Sequence, residues 1–118
     1  MSESARPTPP DYLTPEQLAL FDRLSERVVK LRLTMPAVLF LESTRPLNFI
    51  GSQVMVFFAP MVHALFAARE YNLLQQALER RETIGFLVDL LEAKEQAEQE
   101  RERSERQAKK AAKRKKRP

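Results

Sequence analysis

The sequence contains no cysteine and no tryptophan, and only two glycines and one histidine among 118 residues. Without cysteine the chain can form no disulfide framework, thiolate metal site or cysteine nucleophile. Two glycines and one histidine are too few for a glycine-rich phosphate loop, a dinucleotide-binding fingerprint or a multi-histidine metal site. We therefore expect no cofactor and no metal. A chain of this length forms at most one domain.

Candidate catalytic residues are also scarce. The only histidine, His63, lies in an apolar segment without an acidic residue close to it in sequence, and a histidine in that setting is usually a hydrogen-bonded structural residue. No serine or threonine lies in a nucleophile-elbow motif. The sequence therefore predicts a protein that is not an enzyme and that has no small-molecule substrate.

Charge is distributed unevenly along the chain, although the net formal charge is only +4. Between Arg45 and Arg69 there are 23 residues without a single Lys, Arg, Asp or Glu. Residues 107–118, in contrast, contain seven basic residues and no acidic one, so the rest of the chain is mildly acidic. The seven basic residues are Lys109, Lys110, Lys113, Arg114, Lys115, Lys116 and Arg117.

Capping signals and hydrophobic periodicity predict an all-α fold, a small bundle of four to five helices. The letters TPEQ at residues 14–17 have capping-box spacing with proline at the first helical position, which predicts a helix from Pro15 to about Leu33. A short apolar helix is predicted over residues 37–42 and an amphipathic helix from Glu70 onward. Thr83 is predicted to cap a final helix.

Composition divides the chain into three regions. Residues 1–13 form a proline-rich lead-in that we expect to be disordered, and it lacks the basic start and apolar core of a cleaved secretory signal. Residues 14–92 form the helical body. Residues 93–118 form a charged tail, predicted to be a solvated helix that frays, because opposite charges recur at helical separations without an apolar face.

The uncharged segment at residues 47–68 is long enough to cross a membrane as a helix. Gly51 and Pro60 interrupt it, which predicts a kink or a re-entrant shape. On a helix its bulky apolar side chains lie away from its polar ones, and we expect the bulky set to contact lipid. This set consists of Phe49, Ile50, Val54, Phe57, Phe58, Val62 and Leu65.

Four small or polar residues of the same segment form a stripe. Asn48, Ser52, Ala59 and His63 fall within about 60° of one another on a helix. Within a membrane such stripes usually face another helix, since polar groups find hydrogen-bond partners there and small residues permit close approach. We therefore expect the stripe to form a helix–helix contact.

The favoured interpretation is a helical scaffold or adaptor on the cytoplasmic face of a membrane, attached through residues 47–68 and assisted by the short apolar helix at residues 37–41. The basic cluster would contact anionic headgroups, and a protein partner or a second copy is expected. In the first alternative, residues 47–68 lie in the core of a cytoplasmic adaptor or against its partner. In the second, the basic cluster binds nucleic acid, although no aromatic residue is interleaved with it and no recognition motif is present.

Overall fold

The computed structural model describes residues 7–44 and 51–116, and these ranges contain five helices and no strand. The all-α bundle predicted from the sequence is confirmed. The helices are α1 (Pro15–Lys30), α2 (Thr34–Thr44), α3 (Gly51–Leu65), α4 (Ala68–Leu78) and α5 (Arg81–Lys116).

The start of α1 has the predicted capping box. The Thr14 hydroxyl accepts a hydrogen bond from the Gln17 amide, and the Gln17 side-chain oxygen accepts one from the Thr14 amide, each at 3.1 Å. The Gln17 side chain also donates through Nε2 to the carbonyl of Leu73 at 3.0 Å. One buried glutamine therefore caps α1 and joins it to α4.

The end of α1 comes three residues earlier than predicted, because Arg32 adopts the left-handed conformation with φ of 62°. The amides of Arg32 and Leu33 donate to the carbonyls of Val29 and Val28, each at 3.0 Å. These two bonds constitute a Schellman motif, in which glycine usually occupies the left-handed position. Since arginine stands there, no glycine marks the end of the helix in the sequence.

The longest helix, α5, supports the rest of the bundle, and α1 runs beside its first half in the same direction. At one end the hydroxyls of Tyr12 and Thr83 lie 2.6 Å apart, and at the other Arg32 pairs with Glu102 at 2.8 Å. The prediction that Thr83 caps this helix is wrong, since α5 begins at Arg81 and Thr83 lies within its first turn. Its hydroxyl bonds to Tyr12 instead.

The end of the lead-in packs onto the body. Leu13 is buried in the core, and the Tyr12 ring lies half-buried with the Arg80 guanidinium 4.3 Å from its centre. The packed body therefore includes residues that precede the first helix.

Arg23 on α1 holds the junction between α3 and α4. Its guanidinium donates to the carbonyl of Leu65 at 2.7 Å, pairs with Glu70 at 3.5 Å and lies 4.6 Å above the Phe66 ring. Leu65 is the last residue of α3, where a cation stabilises the free carbonyls of a helix end. The connection between the two helices is thereby fixed to α1.

The uncharged segment contributes α3, and one face of this helix lies in the core. Pro60 lies inside the helix, and residues 47–50 fall outside the described residues. Among the described residues, no helix combines the length and the apolar character that a membrane crossing needs. The fully buried side chains on this face are Val54, Met55, Phe58 and Val62.

Two valines on α3 test this placement with the same chemical change. Val62 is 0% exposed and Val56 is 71% exposed. We expect Val62→Ala to lower the free energy of unfolding by about 2 kcal/mol, because it leaves a cavity in the core, whereas Val56→Ala changes it by less than about 0.5 kcal/mol. Urea unfolding followed by circular dichroism measures both values, and equal losses would contradict the assigned orientation of α3.

An ion pair between α1 and α4 gives the stability a dependence on pH. Arg69 donates hydrogen bonds to Glu16, which lowers the pKa of the Glu16 carboxyl below its ordinary value. A carboxyl with a lowered folded-state pKa stabilises the fold above its unfolded-state pKa, and this contribution is lost as the pH falls through the folded-state value.

We therefore expect Glu16→Gln to lower the free energy of unfolding at neutral pH and to have no effect at a pH below the lowered pKa of Glu16. Urea unfolding of both proteins across this range measures the difference. Glu79→Gln is the control, because Glu79 is exposed on the last turn before α5. A difference between wild type and Glu16→Gln that did not change with pH would exclude the ion pair as its cause.

A buried hydroxyl on α1 provides a stabilising substitution. Ser25 is fully buried, and its Oγ has no hydrogen-bond partner among the described residues. We expect Ser25→Ala to raise the free energy of unfolding by about 1 kcal/mol, because the desolvation cost of the hydroxyl disappears and alanine favours the helix. Ser43→Ala serves as control, since the exposed Ser43 hydroxyl donates to the Leu39 carbonyl. Lower stability of Ser25→Ala would show that the hydroxyl has a partner.

Candidate interaction surfaces

Large apolar side chains remain exposed on two adjoining helices. Met35 and Leu39 on α2 are 64% and 61% exposed, and Val56 and Phe57 on α3 are 71% and 42% exposed. The rings of Phe40 and Phe57 stack at 4.2 Å between centroids and connect the two helices. We name these five side chains the α2–α3 apolar surface. Exposed apolar patches on small proteins usually mark contacts with partners or membranes.

The exposure on α2 follows from its composition. The helix reads TMPAVLFLEST and is apolar around most of its circumference. Only one side of it fits against the bundle, where Ala37, Val38 and Leu41 are buried. A helix that is apolar all round but covered on one side leaves the other apolar side to solvent or to a partner.

An apolar hollow of about 160 Å³ adjoins this surface where α1 ends beside α2 and α3. Every side chain that lines it is apolar, and Leu33, Phe57, Pro60 and Met61 are among them. The hollow extends the α2–α3 apolar surface inward without adding a charged group.

The residues predicted to contact lipid are divided between core and surface. Val54, Phe58 and Val62 are buried in the core of the chain, and Leu65 is half-buried. Phe57 is exposed on the α2–α3 apolar surface. Phe49 and Ile50 lie outside the described residues. Lipid contact by the three buried residues stays a prediction, and in this conformation other helices of the same chain cover them.

Sequence reasoning missed the apolar residues that are exposed. Leu39 belongs to the short apolar helix that was expected to assist membrane attachment, but no side chain of that helix was singled out; Met35 precedes the predicted range, and Val56 borders the polar stripe of α3. Periodicity identifies the apolar arc of a helix but cannot show which part of a wide arc its neighbours cover. The missing information is the position of α1 and α4 against α3.

The predicted polar stripe is placed beside α4 at its C-terminal end. The His63 ring stacks on Tyr71 of α4, with 5.3 Å between ring centroids and 11° between planes. Ala59 is half-buried on the same side. Ser52 lies in the first turn of α3, and Asn48 lies outside the described residues. Part of the stripe therefore contacts a helix of the same chain.

The predicted basic cluster lies on the projecting end of α5. This helix has 36 residues and is about 54 Å long, whereas the molecule measures 61 × 28 × 27 Å. Side chains from Arg103 to Lys115 are all exposed. Lys109, Lys110, Lys113, Arg114 and Lys115 lie on this exposed length, Lys116 is the last helical residue, and Arg117 falls outside the described residues.

Five cations of this end lie on one side of the helix. At 100° per residue they fall within about 100° of one another, and we name them the basic face. Sequence reasoning missed the first two, because nearby glutamates balance their charge in a count along the chain. The basic face consists of Arg103, Arg106, Lys110, Lys113 and Arg114.

Closer to the body, the same side of α5 is acidic. A groove of about 390 Å³ lies between α2 and α5. Glu92, Glu95 and Glu100 line it together with the exposed Met35. Within it the Thr34 hydroxyl donates to Glu95 at 2.8 Å. We name it the acidic groove.

Comparisons of the chain with protein-family models, with curated proteins and with solved structures find no match. Among residues 7–44 and 51–116, no group of three or more His, Cys, Asp or Glu side chains is arranged to hold a metal ion. The α2–α3 apolar surface, the basic face and the acidic groove are therefore the features from which a function can be inferred.

Proposed function

We propose that the protein is a non-enzymatic adaptor on the cytoplasmic face of a membrane. The α2–α3 apolar surface would lie at the boundary between headgroups and acyl chains, and the basic end of α5 would contact anionic headgroups. The observation that carries this proposal is the exposure of four large apolar side chains on two adjoining helices.

The segment around this surface contains few charged residues, which lowers the free-energy cost of placing the surface in an apolar environment. Between Leu33 and Ala68 the only charged residues are Glu42 and Arg45. Transfer of a charged side chain out of water is costly, so a surface nearly free of charge can enter the interfacial region at low cost. Helices that lie in the membrane plane bury their apolar face to a depth of about 5–10 Å.

The basic end of α5 supplies a second attachment. A basic residue close to an anionic membrane contributes about 1 kcal/mol to binding. Stable peripheral attachment generally needs two signals, such as an apolar insertion together with a polybasic segment. In this chain the α2–α3 apolar surface and the basic end of α5 would supply these two signals from separate parts of the molecule.

The proposed attachment is peripheral. Val54, Phe58 and Val62 remain in the core, and the side chains that enter the interface are those exposed in the folded bundle. This differs from the spanning or re-entrant insertion considered from the sequence, because the fold is retained on the membrane.

Flotation of the protein with phosphatidylcholine vesicles, with and without phosphatidylserine, tests the proposal. We expect phosphatidylserine to increase the bound fraction and salt to decrease it. We also expect Leu39→Ser to lower the partition coefficient about tenfold, because burial of a leucine contributes roughly 1.5–3 kcal/mol.

Leu31→Ser is the matched control, since Leu31 is 45% exposed but lies beyond the end of α1 and outside the α2–α3 apolar surface. It should bind nearly as the wild type does. Equal losses in the two variants, or a folded wild-type protein that does not float with either vesicle, would refute membrane attachment through this surface. The second result would favour a protein partner for it.

A further inference from the structure

The second half of α5 has opposite charges at its two ends on a single side. Glu92, Gln96 and Glu100 lie on this side near the body, and Lys110 and Arg114 lie on it near the tip. All five side chains are exposed. A helix with this pattern is complementary to an antiparallel copy of itself.

We propose that two copies of the chain pair through α5 in antiparallel orientation, so that Lys110 and Arg114 of each lie along the acidic groove of the other. Such a pairing is isologous, because each contact occurs twice around a two-fold axis and the assembly closes as a dimer. It assigns to the projecting helix a partner of defined chemistry, a second copy of this protein.

The register follows from the charges. An axis beside Glu105 places Glu100 opposite Lys110 and Gln96 opposite Arg114 of the second copy. The same register places Arg103 opposite Gln107 and Arg106 opposite Ser104 of the second copy, while Glu105 lies on the far side of each helix. Paired from residue 94 to residue 116, the two helices would adjoin over about 34 Å.

The acidic groove also offers apolar contact to the incoming helix. Met35 is 64% exposed and lines the groove beside Val38. The methylene stems of lysine and arginine can cover such side chains while their charged ends reach the carboxylates. The apolar side chains of the groove would therefore contact the methylene stem of a basic side chain, and its carboxylates would bind the charged end.

The projecting end of α5 gains most from a partner. Residues 103–115 are exposed, and an isolated helix of this length is marginally stable in water. Pairing would provide this segment with tertiary contacts that the monomer does not give it. The pairing forms in solution and does not depend on the proposed membrane attachment, although both use the basic end.

Sedimentation equilibrium of the full chain at low salt, without lipid, tests the pairing. The tip variant carries Lys110→Glu and Arg114→Glu, and the groove variant carries Gln96→Lys and Glu100→Lys. We expect each alone to raise the dimer dissociation constant about tenfold or more, because the contact between positions 100 and 110, which occurs twice in the dimer, changes from attractive to repulsive. An equimolar mixture should dimerise again, since the mixed dimer pairs opposite charges between positions 100 and 110 in both of its halves.

Lys109→Glu with Lys115→Glu is the control, because it changes the net charge as the tip variant does on other sides of the helix. It should dimerise more strongly than the tip variant, and circular dichroism should show equal helix content in all proteins. A monomeric wild type, growth beyond the dimer, a control as weak as the tip variant, or a mixture that stays monomeric would each overturn the proposal.

Discussion

The packing of α1 against the first half of α5 determines where every other element lies. Phe21 and Phe86 meet edge to face at this contact, with 6.4 Å between ring centroids, and Lys94 of α5 pairs with Asp22 and Glu26 beside it. α2 then returns along α5, while α3 and α4 are fixed to α1 through Arg23 and Gln17. The two parallel helices at the centre offer little surface against which α2 and α3 can pack. Part of each of these helices therefore stays exposed. The α2–α3 apolar surface is the consequence.

Local signals in the sequence predicted those features that depend on local chemistry. The capping box at Thr14 located the start of α1, and the apolar periods of α1, α4 and α5 indicated their buried sides. Features that depend on contacts with other parts of the fold could not be predicted from the sequence. The stop at Arg32 lacks the glycine that usually marks a Schellman motif. Threonine is a residue type that commonly caps helices, but the Thr83 hydroxyl instead bonds to Tyr12, a residue 71 positions away.

In the candidate interaction surfaces too, the local sequence predicted some features, whereas others depend on tertiary contacts that it does not reveal. The basic residues near the C-terminus were evident from composition, whereas their arrangement with Arg103 and Arg106 on one side required a continuous helix to Lys116. For α3, the sequence grouped the bulky apolar residues by their positions on the helix but could not show that other helices of the chain cover Val54, Phe58 and Val62. Val56 and Met35 became candidates only because the fold leaves them uncovered. Exposure of an apolar residue is a property of the whole bundle.

Because α5 is one continuous helix, a small change in its direction near the body moves its tip by a larger distance. The pair of Arg32 with Glu102 tethers this helix to the chain just after α1, and from Glu102 the helix continues for 14 residues to Lys116, or about 21 Å. A change of only about 10° in the direction of the helix at the tether would move its tip by roughly 4 Å, by the geometry of a rigid rod of that length. The Arg32 backbone also sets the reversal into α2. Arg32 therefore lies both at the turn that leads into the apolar helix α2 and at the base of the projecting end of α5.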